Sequence, residues 1–551
     1  MKRILLFLLV SAMLCGLVAC STSNDDTIQS TTPSTTTIGN GEQLPDESSF
    51  ISWMNSGYYK NTQKYEGPDE KLTDFDVYMA KNESESTQIA VRTKENISGV
   101  SFVFDGKLPD GVKAEIFEIK TLSIEGDRWP DGLVPLDGRT VDLRKDRTYS
   151  FLIKFTSQKD TPAQKSTVKV LMKDSEGNTA CEYTVNLTVW DIVIPDAPAI
   201  SMWAPLDKES LAKQYGLGDI RNTTLDEEKQ AELDRIYKLY YDFLLEYGIS
   251  GGDLPYDLLD PRADAYMSDP RVTAFTVAHS EFDEERVKAI YDKIKDNSVW
   301  LEKAVYYVLD EPTTVDMLDQ LKARAEAFRK IAPDIKIASA YYTNIKHSSG
   351  LDTTDFLQQY IDILSPKLCL FDQLGGLDKY KARFETFKKN GNKMWTYVCW
   401  EPGKPYVNLY VNEQGIDHRI MYIQTYDIGA DGWMYWCSNK WYDIEANLSP
   451  WSSMVTVPWL TYDVYGDGSF IYPGNDVGID GACGSLRLEC IRDGIEDIAL
   501  LKIAEELLGK SKVDSMINKV SMGITMYVSK ESTFNSFRES LGNDVEAALK
   551  K

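Results

Sequence analysis

The stretch that decides the fold is Ala304-Val-Tyr-Tyr-Val-Leu-Asp-Glu-Pro312, an apolar run that stops at two adjacent acids and a proline. Apolar side chains that follow one another without alternation are typical of a parallel strand buried on both faces. Pro312 has no N–H for a strand ladder and keeps Glu311 out of the helical region, so the strand must break there. This stretch therefore predicts a buried parallel strand with two carboxylates at its C-terminal end.

Apolar runs of the same kind recur on both sides of this stretch and alternate with helical segments. Thr224-Leu-Asp-Glu227 is typical of a capping box, and apolar residues at helical spacing follow it as far as Gly248. The connection after the second strand has little helical signal. The eight predicted strands are Ile200–Trp203, Gly248–Gly252, Thr273–Val277, Ala304–Leu309, Ile335–Tyr341, Lys367–Phe371, Met394–Cys399 and Gly432–Trp436. Strands and helices that alternate in this number predict a (β/α)8 TIM-type barrel at residues 199–490, with a C-terminal helical segment at 491–551 packed on it.

The residues before the barrel have a different pattern. Segments such as Gln88-Ile-Ala-Val-Arg92 and Thr167-Val-Lys-Val-Leu-Met172 alternate with period two and are rich in β-branched residues. Short strands of this kind, separated by Gly, Asp and Pro turns, predict a β-sandwich over residues 50–195. Pro195-Asp-Ala-Pro198 marks the boundary. The expected fold is therefore multidomain, with an N-terminal β-sandwich, a barrel and C-terminal helices.

The first residues of the chain are typical of an export signal. Lys2 and Arg3 precede an apolar stretch too short to span a bilayer, and Leu17-Val-Ala-Cys20 resembles the lipobox of bacterial lipoproteins. We expect a signal peptide at 1–19, lipid on Cys20 and a flexible tether at 20–49. These features predict a protein lipid-anchored to the outer membrane, on its periplasmic or cell-surface face. The alternative is an ordinary secretory signal with an incidental cysteine.

The composition disfavours several classes of partner and cofactor. The 551-residue chain has a formal net charge of −25, which argues against nucleic acid or an anionic membrane surface as a partner. Its three histidines are far apart, and the cysteines after Cys20 show no C-x-x-C spacing. A His-rich metal site or a His-based triad is therefore not expected, and the sequence predicts no metal and no cofactor.

Asp310 and Glu311 are the candidate catalytic residues. Functional residues of such barrels lie at the C-terminal ends of strands, and these acids follow the fourth predicted strand. An ionised Asp310 disfavours charge on Glu311, and apolar surroundings act in the same direction, so Glu311 is expected to stay protonated near neutral pH. A protonated Glu can act as a general acid toward a leaving-group oxygen. The alternative is structural, with Asp310 capping the next helix and Glu311 paired with a nearby cation.

Aromatic and amide side chains at other strand ends complete the candidate site. Rings at one barrel mouth suit the apolar faces of a pyranose, and Asn and Asp suit its hydroxyl groups. The candidate substrate-binding residues are Tyr341, Asp372, Tyr397, Trp433, Trp436 and Asn439. Any one of these rings can instead belong to the core. Asp372 or Glu401 is also a candidate for the second carboxylate of a glycosidase with two separated acids.

Several longer motifs occur along the chain. They are Lys81-Asn-Glu-Ser-Glu-Ser-Thr-Gln-Ile89, Trp129-Pro-Asp-Gly-Leu-Val-Pro135, Leu309-Asp-Glu-Pro312, Tyr465-Gly-Asp-Gly-Ser-Phe-Ile-Tyr-Pro-Gly474, Ser485-Leu-Arg-Leu-Glu489 and Arg492-Asp-Gly-Ile-Glu-Asp497. With these motifs, the chain resembles glycoside hydrolase family 123 and its Bacteroidetes lipoprotein relatives over nearly all of its length after the signal peptide.

The resemblance implies a retaining exo-glycosidase that removes terminal β-linked N-acetylhexosamine, with GalNAc favoured, from a glycan. By this resemblance the nucleophile is the substrate's own acetamido oxygen, and an oxazoline forms. Asp310 then orients the acetamido group, while Glu311 protonates the leaving oxygen and later deprotonates water. Tyr341 or Tyr397 is expected to hold the acetamido oxygen. Arg487 is the candidate substrate contact within the C-terminal motif, whose other charged residues are expected to pair internally and seat the last helix.

Two other functions remain open from the sequence. One is a non-catalytic surface glycan-binding lipoprotein, although an intact Asp310-Glu311-Pro312 weighs against a decayed site. The other is a glycosidase of different specificity that uses separated carboxylates. Only the favoured mechanism requires a 2-acetamido group, so inhibition by a thiazoline mimic of the oxazoline distinguishes it from both.

Overall fold

The computed structural model describes residues 49–441, 449–456 and 464–551 of the chain. The predicted signal peptide at 1–19, the lipid attachment at Cys20 and the tether up to residue 48 lie outside the described residues. Within the described ranges, no helix combines the length and the apolarity that crossing a membrane requires.

The N-terminal region consists of two five-stranded sheets. Its strands are β1 (Phe50–Ser56), β2 (Asp74–Lys81), β3 (Ser84–Thr93), β4 (Ile97–Asp105), β5 (Val112–Ile124), β6 (Asp127–Pro135), β7 (Val141–Leu143), β8 (Thr148–Ser157), β9 (Gln164–Lys173) and β10 (Thr179–Val193). One sheet has the order β1-β3-β8-β5-β6, and the other has the order β2-β10-β9-β4-β7. Apolar residues of both sheets share one core, in which the ring centroids of Phe102 and Phe151 lie 4.4 Å apart. The predicted sheet-rich N-terminal region is confirmed.

The C-terminal region is built on one curled parallel sheet. Its strands are β11 (Ser201–Trp203), β12 (Phe275–His279), β13 (Ala304–Tyr307), β14 (Lys336–Tyr341), β15 (Ile363–Pro366), β16 (Lys393–Tyr397) and β17 (Gly432–Met434). They are hydrogen-bonded in the order β11-β17-β16-β15-β14-β13-β12. The parallel sheet with surrounding helices is therefore confirmed, but in the described residues it has seven strands instead of the predicted eight, and six of them lie at predicted positions.

The second predicted strand, Gly248–Gly252, does not form. Ser250 makes a single parallel bridge with Trp203, and the carbonyl of Gly252 accepts a hydrogen bond from the N–H of Thr276 at 3.3 Å. Gly252 has a φ of +84°, so the backbone leaves the extended conformation after one ladder position. A short irregular segment therefore lies between β11 and β12 in place of a strand.

The sixth predicted strand is displaced along the chain. The strand forms at Ile363–Pro366, whereas the predicted segment Lys367–Phe371 leads into a short helix at Leu370–Gln373. A short apolar run does not distinguish a buried strand from a helix by its periodicity, and Pro366 lacks a ladder donor, which disfavoured the true strand. Lys367 consequently lies at the C-terminal end of β15.

Helices cover the outer face of the parallel sheet and form the C-terminal end of the chain. Those of the described residues are α1 (Lys208–Gln214), α2 (Glu227–Glu246), α3 (Ala263–Ser268), α4 (Glu284–Ile294), α5 (Ser298–Lys303), α6 (Val315–Ile331), α7 (Thr353–Leu357), α8 (Leu370–Gln373), α9 (Leu377–Ala382), α10 (Glu385–Lys389), α11 (Gly415–Asp427), α12 (Leu486–Leu508), α13 (Lys510–Ile517) and α14 (Glu531–Leu549). The N-cap of α2 is Asp226, whose carboxylate accepts from the N–H of Lys229, so the capping box predicted from Thr224 is wrong. The predicted limit between residues 490 and 491 lies inside α12, and the predicted domain limits remain predictions.

In the part of the chain that the structure describes, three two-stranded antiparallel sheets lie outside the parallel sheet in the C-terminal region. They are β18 (Val455–Thr456) with β19 (Val464–Tyr465), β20 (Tyr472–Pro473) with β21 (Ala482–Cys483), and β22 (Ser521–Gly523) with β23 (Met526–Tyr527). A 3-10 helix spans Gly474–Val477.

Side chains of the parallel sheet point into two different environments. Tyr307 of β13 and Tyr397 of β16 belong to the core inside the curl of the sheet. Tyr306, the neighbour of Tyr307, instead stacks on Phe328 of α6 outside the curl, with 4.1 Å between ring centroids. Since successive side chains of a strand serve opposite faces, the position of a residue along its strand decides whether it can face the mouth.

Buried ion pairs connect the N-terminal sheets to the C-terminal helices. Arg419 of α11 pairs with Glu85 of β3 and with Asp497 of α12, and Asp497 also pairs with Arg538 of α14. Arg492 pairs with both Glu489 and Asp493 within α12. The internal pairing expected of this C-terminal motif is therefore present. Residues 49–551 form one compact unit.

Candidate active site

The chain breaks from strand geometry directly before the two adjacent acids. Strand β13 ends at Tyr307, but the N–H of Glu311 still donates to the carbonyl of Ala340 in β14 at 3.1 Å. Glu311 has a φ of +40°, a left-handed conformation that a residue with a Cβ rarely adopts. This turn, followed by Pro312, brings both carboxylates to the end of the curled sheet.

Asp310 lines a cavity at the C-terminal ends of the strands. Its exposed carboxylate accepts a hydrogen bond from the Tyr307 hydroxyl at 2.6 Å. The cavity has a volume of about 330 Å³, and its lining includes Trp203, Asp253, His279, Met434 and Trp436. This volume lies within the range of small-ligand sites, roughly 300–1,000 Å³. Asp310 is thus a carboxylate held in place and open to a ligand.

Glu311 has a different environment from its neighbour. Its half-buried carboxylate accepts a hydrogen bond from the hydroxyl of Tyr397. Burial raises the pKa of Glu311 above its ordinary value, and the charges of Asp310 and Glu401 act in the same direction, against the Tyr397 hydrogen bond and the charge of Lys367. The net direction of the pKa shift is upward, as predicted, so Glu311 retains a proton more readily than an ordinary glutamate.

Lys367 lies beside Glu311 and was not singled out by the sequence reasoning. Its side chain is 3% exposed, and its ammonium lies 4.4 Å from the ring centroid of Tyr342, 5.7 Å from that of Trp400 and 5.8 Å from that of Tyr397. Glu401 is the nearest carboxylate, at 4.0 Å. The sequence feature that could have indicated Lys367 is a single charged residue in the mostly apolar segment 363–371. The displaced strand assignment concealed its position at a strand end.

The model of the glycoside hydrolase 123 catalytic domain matches residues 258–504, a segment that contains both acids and Lys367. Residues 258–504 belong to glycoside hydrolase family 123. The chain is accordingly a glycoside hydrolase that acts on a glycan. No curated protein sequence gives a significant match.

Solved structures add evidence on the fold. A family 123 glycoside hydrolase from Clostridium perfringens, described with the details of glycolipid glycan hydrolysis, has a TM-score of 0.64 at 13% identity over 91% of this chain and 98% of that chain. This likeness shows a common fold. A GH2 β-galacturonidase from Eisenbergiella tayi has a TM-score of 0.30 at 9% identity, over 82% of this chain and 73% of that chain. An endo-β-1,4-mannanase from Thermotoga petrophila has a TM-score of 0.28 at 10% identity, over 55% of this chain and 77% of that chain. TM-scores this low do not establish a shared fold.

Two of the predicted substrate-binding rings of the family 123 domain face away from the mouth. The Tyr341 hydroxyl lies 2.7 Å from that of Tyr380 and 3.0 Å from that of Thr354, and the side chain is fully buried. Trp433 is also fully buried and packs on Tyr422 of α11, with ring centroids 5.8 Å apart. Both predictions are wrong because these residues occupy the outward-facing positions of their strands.

Two further predicted contacts are structural. Asn439 is fully buried, and its side-chain oxygen accepts from the N–H of Asp207 at 2.7 Å, which ties the loop after β17 to the start of α1. Arg487 is fully buried too and donates to both carboxylate oxygens of Asp131 in β6. Its remaining donors bond to the carbonyls of Leu409 and Gly466. Neither side chain is free to contact a substrate.

The structure places the predicted residues Tyr397 and Trp436 beside the two acids and the cavity, and their contact with a substrate stays a prediction. Tyr397 bonds to Glu311, and the Trp436 ring lines the cavity while its N–H donates to Asp467 at 3.0 Å. Burial raises the pKa of Asp467 to about 6, and the Tyr435 hydroxyl donates to the same carboxylate oxygen at 3.0 Å. Asp467, which the sequence reasoning did not single out, therefore positions the cavity wall.

The two candidates for a separated second acid lie elsewhere. Asp372 is exposed in α8 and accepts from the Tyr406 hydroxyl at 3.1 Å. Glu401 is exposed and faces the ammonium of Lys367. Among the described residues, no group of three or more His, Cys, Asp or Glu side chains is arranged to hold a metal ion.

Proposed function

We propose that the protein is a retaining exo-glycosidase that removes terminal β-linked N-acetylhexosamine, with GalNAc favoured, through an oxazoline intermediate. The observation that carries the proposal is the contrast between the two adjacent acids. Asp310 is exposed in the cavity and bonded to Tyr307, whereas burial raises the pKa of Glu311. One residue suits a charged role toward the acetamido group, and the other suits proton transfer.

The first step forms the oxazoline and breaks the glycosidic bond. The acetamido oxygen attacks the anomeric carbon while Glu311 donates its proton to the departing oxygen, so the leaving group departs as an alcohol. Asp310 accepts a hydrogen bond from the acetamido N–H and stabilises the positive charge that develops there. Because the nucleophile is already attached to the substrate, much of the entropic barrier to the attack is absent.

The second step restores the sugar and the enzyme. Glu311, now ionised, takes a proton from water as the water oxygen attacks the anomeric carbon. The bond from that carbon to the acetamido oxygen breaks, and the product keeps its β configuration. Tyr397 holds the Glu311 carboxylate for both transfers, and Tyr307 holds Asp310. Tyr341 has no part in these steps, since its hydroxyl is engaged in the core.

The arrangement favours adjacent acids over separated ones. A retaining enzyme with a carboxylate nucleophile places its two acids about 5–5.5 Å apart on opposite sides of the scissile bond. The two candidates for that second acid, Asp372 and Glu401, are exposed and bonded to Tyr406 or paired with Lys367. Neither is held at the cavity as Asp310 is.

We expect the Asp310→Asn variant to lose about 10²–10³-fold in kcat on an aryl β-GalNAc substrate, since one preorganised electrostatic contact is removed. The variant and the wild type are compared on aryl β-GalNAc, β-GlcNAc and β-Gal, with a GalNAc-thiazoline as inhibitor of the wild type. Asp372→Asn makes the same chemical change outside the cavity and should keep near-normal activity. Hydrolysis of the β-Gal substrate, or a severe loss in Asp372→Asn alone, would contradict the assisted mechanism.

The proposal also places the enzyme on the outer membrane, through lipid on Cys20. We expect the Cys20→Ala variant to lose incorporation of a fatty-acid label and to leave the membrane fraction, because the thiol that carries the lipid is gone. Cys15→Ala removes a thiol in the same signal segment and should be labelled normally. Equal labelling of Cys20→Ala and the wild type would exclude this anchor.

A further inference from the structure

The mouth of the curled sheet is divided at the two acids. Residues at or near the ends of β11, β12, β13 and β17 line the cavity that contains Asp310. On the other side of β13 in the sheet, the ends of β14, β15 and β16 are followed by Tyr342, Lys367 and Trp400. Glu311 bonds to Tyr397, the last residue of β16, and so faces this second group. The two acids therefore face different parts of the mouth.

Lys367 has hydrogen-bonding capacity that the protein does not use. Its ammonium carries three donors, yet it makes no hydrogen bond to any residue that the structure describes, and its side chain is 3% exposed. The nearest carboxylate oxygen, on Glu401, lies 4.0 Å away, beyond hydrogen-bonding distance. The three surrounding rings stabilise the charge of the ammonium but offer it no hydrogen-bond acceptor. An acceptor supplied by a ligand would satisfy the donors.

Two of the three rings around Lys367, those of Tyr342 and Trp400, are accessible to solvent. Tyr342 is 38% exposed although its ring lies against the ammonium, and Trp400 is half-buried. Exposed aromatic faces of this kind suit the apolar face of a pyranose. Glu401, exposed beside the lysine, offers an acceptor. A donor, an acceptor and ring faces together match a neutral sugar, whose hydroxyl groups both accept and donate.

We propose that Tyr342, Lys367, Trp400 and Glu401 form the subsite for the leaving sugar, with Lys367 donating to one of its hydroxyl oxygens. The proposal rests on the proposed function, because it assumes that the terminal N-acetylhexosamine occupies the cavity at Asp310. A general acid must reach the oxygen between the two sugars, and Glu311 lies between the cavity and this cluster.

The test compares substrates that share the terminal sugar and differ in the leaving group. Lys367→Met keeps an unbranched side chain among the rings and removes the donors. We expect it to lower kcat/KM on an N-acetylhexosaminyl-hexose disaccharide about 10- to 100-fold, the loss of a hydrogen bond to a charged group. For the aryl glycoside of the same sugar, kcat/KM should fall by less than about 2- to 5-fold. The Kd of the thiazoline should stay within about 2-fold of the wild-type value. Lys379→Met, an exposed change in α9, is the matched control.

The outcomes separate this subsite from other roles of Lys367. Equal losses on the disaccharide and the aryl glycoside, or weaker binding of the thiazoline, would show that Lys367 acts on Glu311 or on the cavity, and would overturn the assignment. A wild type that does not bind the thiazoline but cleaves another β-linked disaccharide would reject the proposed function. In that case the losses of kcat/KM that Lys367→Met causes on that disaccharide and on the matching aryl glycoside still show whether Lys367 contacts the leaving sugar.

Discussion

Glu311→Gln lowers kcat/KM on a saccharide β-N-acetylhexosaminide by about 10²–10⁴-fold, the expected contribution of a general acid. The amide keeps the size of the side chain and can still meet the Tyr397 hydroxyl, but it has no proton to give to the departing oxygen. A phenol that leaves readily needs little protonation, so an aryl substrate with a strongly acidic phenol should lose less. Initial rates on the two substrates measure this difference.

The pH dependence of the same pair of proteins provides a second readout. Burial raises the pKa of Glu311, and the wild-type kcat/KM should fall as pH rises through that raised value, because the protonated acid is lost. Glu311→Gln should lack this alkaline limb. Glu326→Gln, an exposed change of the same kind in α6, should retain both the limb and the activity. An unchanged limb in Glu311→Gln would assign the proton to another group.

Arg487→Met is expected to lower the free energy of unfolding by about 3–5 kcal/mol, the cost of leaving one charge of a buried pair without its partner. Arg487 and Asp131 are both fully buried, and Arg487 also bonds to the carbonyls of Leu409 and Gly466. The double variant Asp131→Asn, Arg487→Met should recover part of the loss, since no buried carboxylate then remains uncompensated. Denaturant unfolding of the four proteins in this cycle measures the coupling.

The decrease in the free energy of unfolding that Arg487→Met causes should depend on pH. Burial alone would raise the pKa of Asp131, but the charges of Arg487 and Lys60 hold it below its ordinary value. Such a carboxylate stabilises the fold above its unfolded-state pKa, and that contribution disappears as pH falls through the folded-state value. The difference between wild type and variant should therefore narrow below about pH 4. Arg235→Met breaks an exposed pair with Asp480 and should cost about 1 kcal/mol or less at any pH.

The position of the two candidate catalytic acids was predictable from the sequence because the signal is local. Pro312 ends the strand, and the two acids precede it, so their place at a strand end follows from three consecutive residues. The face of the sheet on which a strand residue lies is not decided by such a local signal. Tyr341 is the last residue of β14 and Tyr397 is the last residue of β16, yet one packs against Tyr380 and the other reaches Glu311. A shift of one residue in the strand exchanges the two outcomes, and periodicity in a fully apolar run does not fix it.

Long-range pairing explains the error at Arg487. Arg487 meets Asp131 across 356 residues of sequence, and no pattern near either residue names the other. The motif that contains Arg487 was recognisable, but whether it served the substrate or the core depended on that distant partner. The missing second strand had a local cause, since Gly251 and Gly252 follow one another there. Two glycines weaken a strand, and the positive φ of Gly252 ends it.

The left-handed backbone at Glu311 opposes the retention of a glutamate over evolutionary time. A residue with a Cβ in this conformation costs on the order of 1–3 kcal/mol, whereas Gly or Asn tolerates it better. If Glu311 is the general acid that we propose, selection for hydrolysis keeps it despite that cost. In a duplicated gene released from this selection, replacement of Glu311 by Gly or Asn would stabilise the protein and would tend to persist. Descendants that only bind glycans are therefore expected to lose Glu311 before Asp310, which makes residue 311 the position to inspect for lost activity.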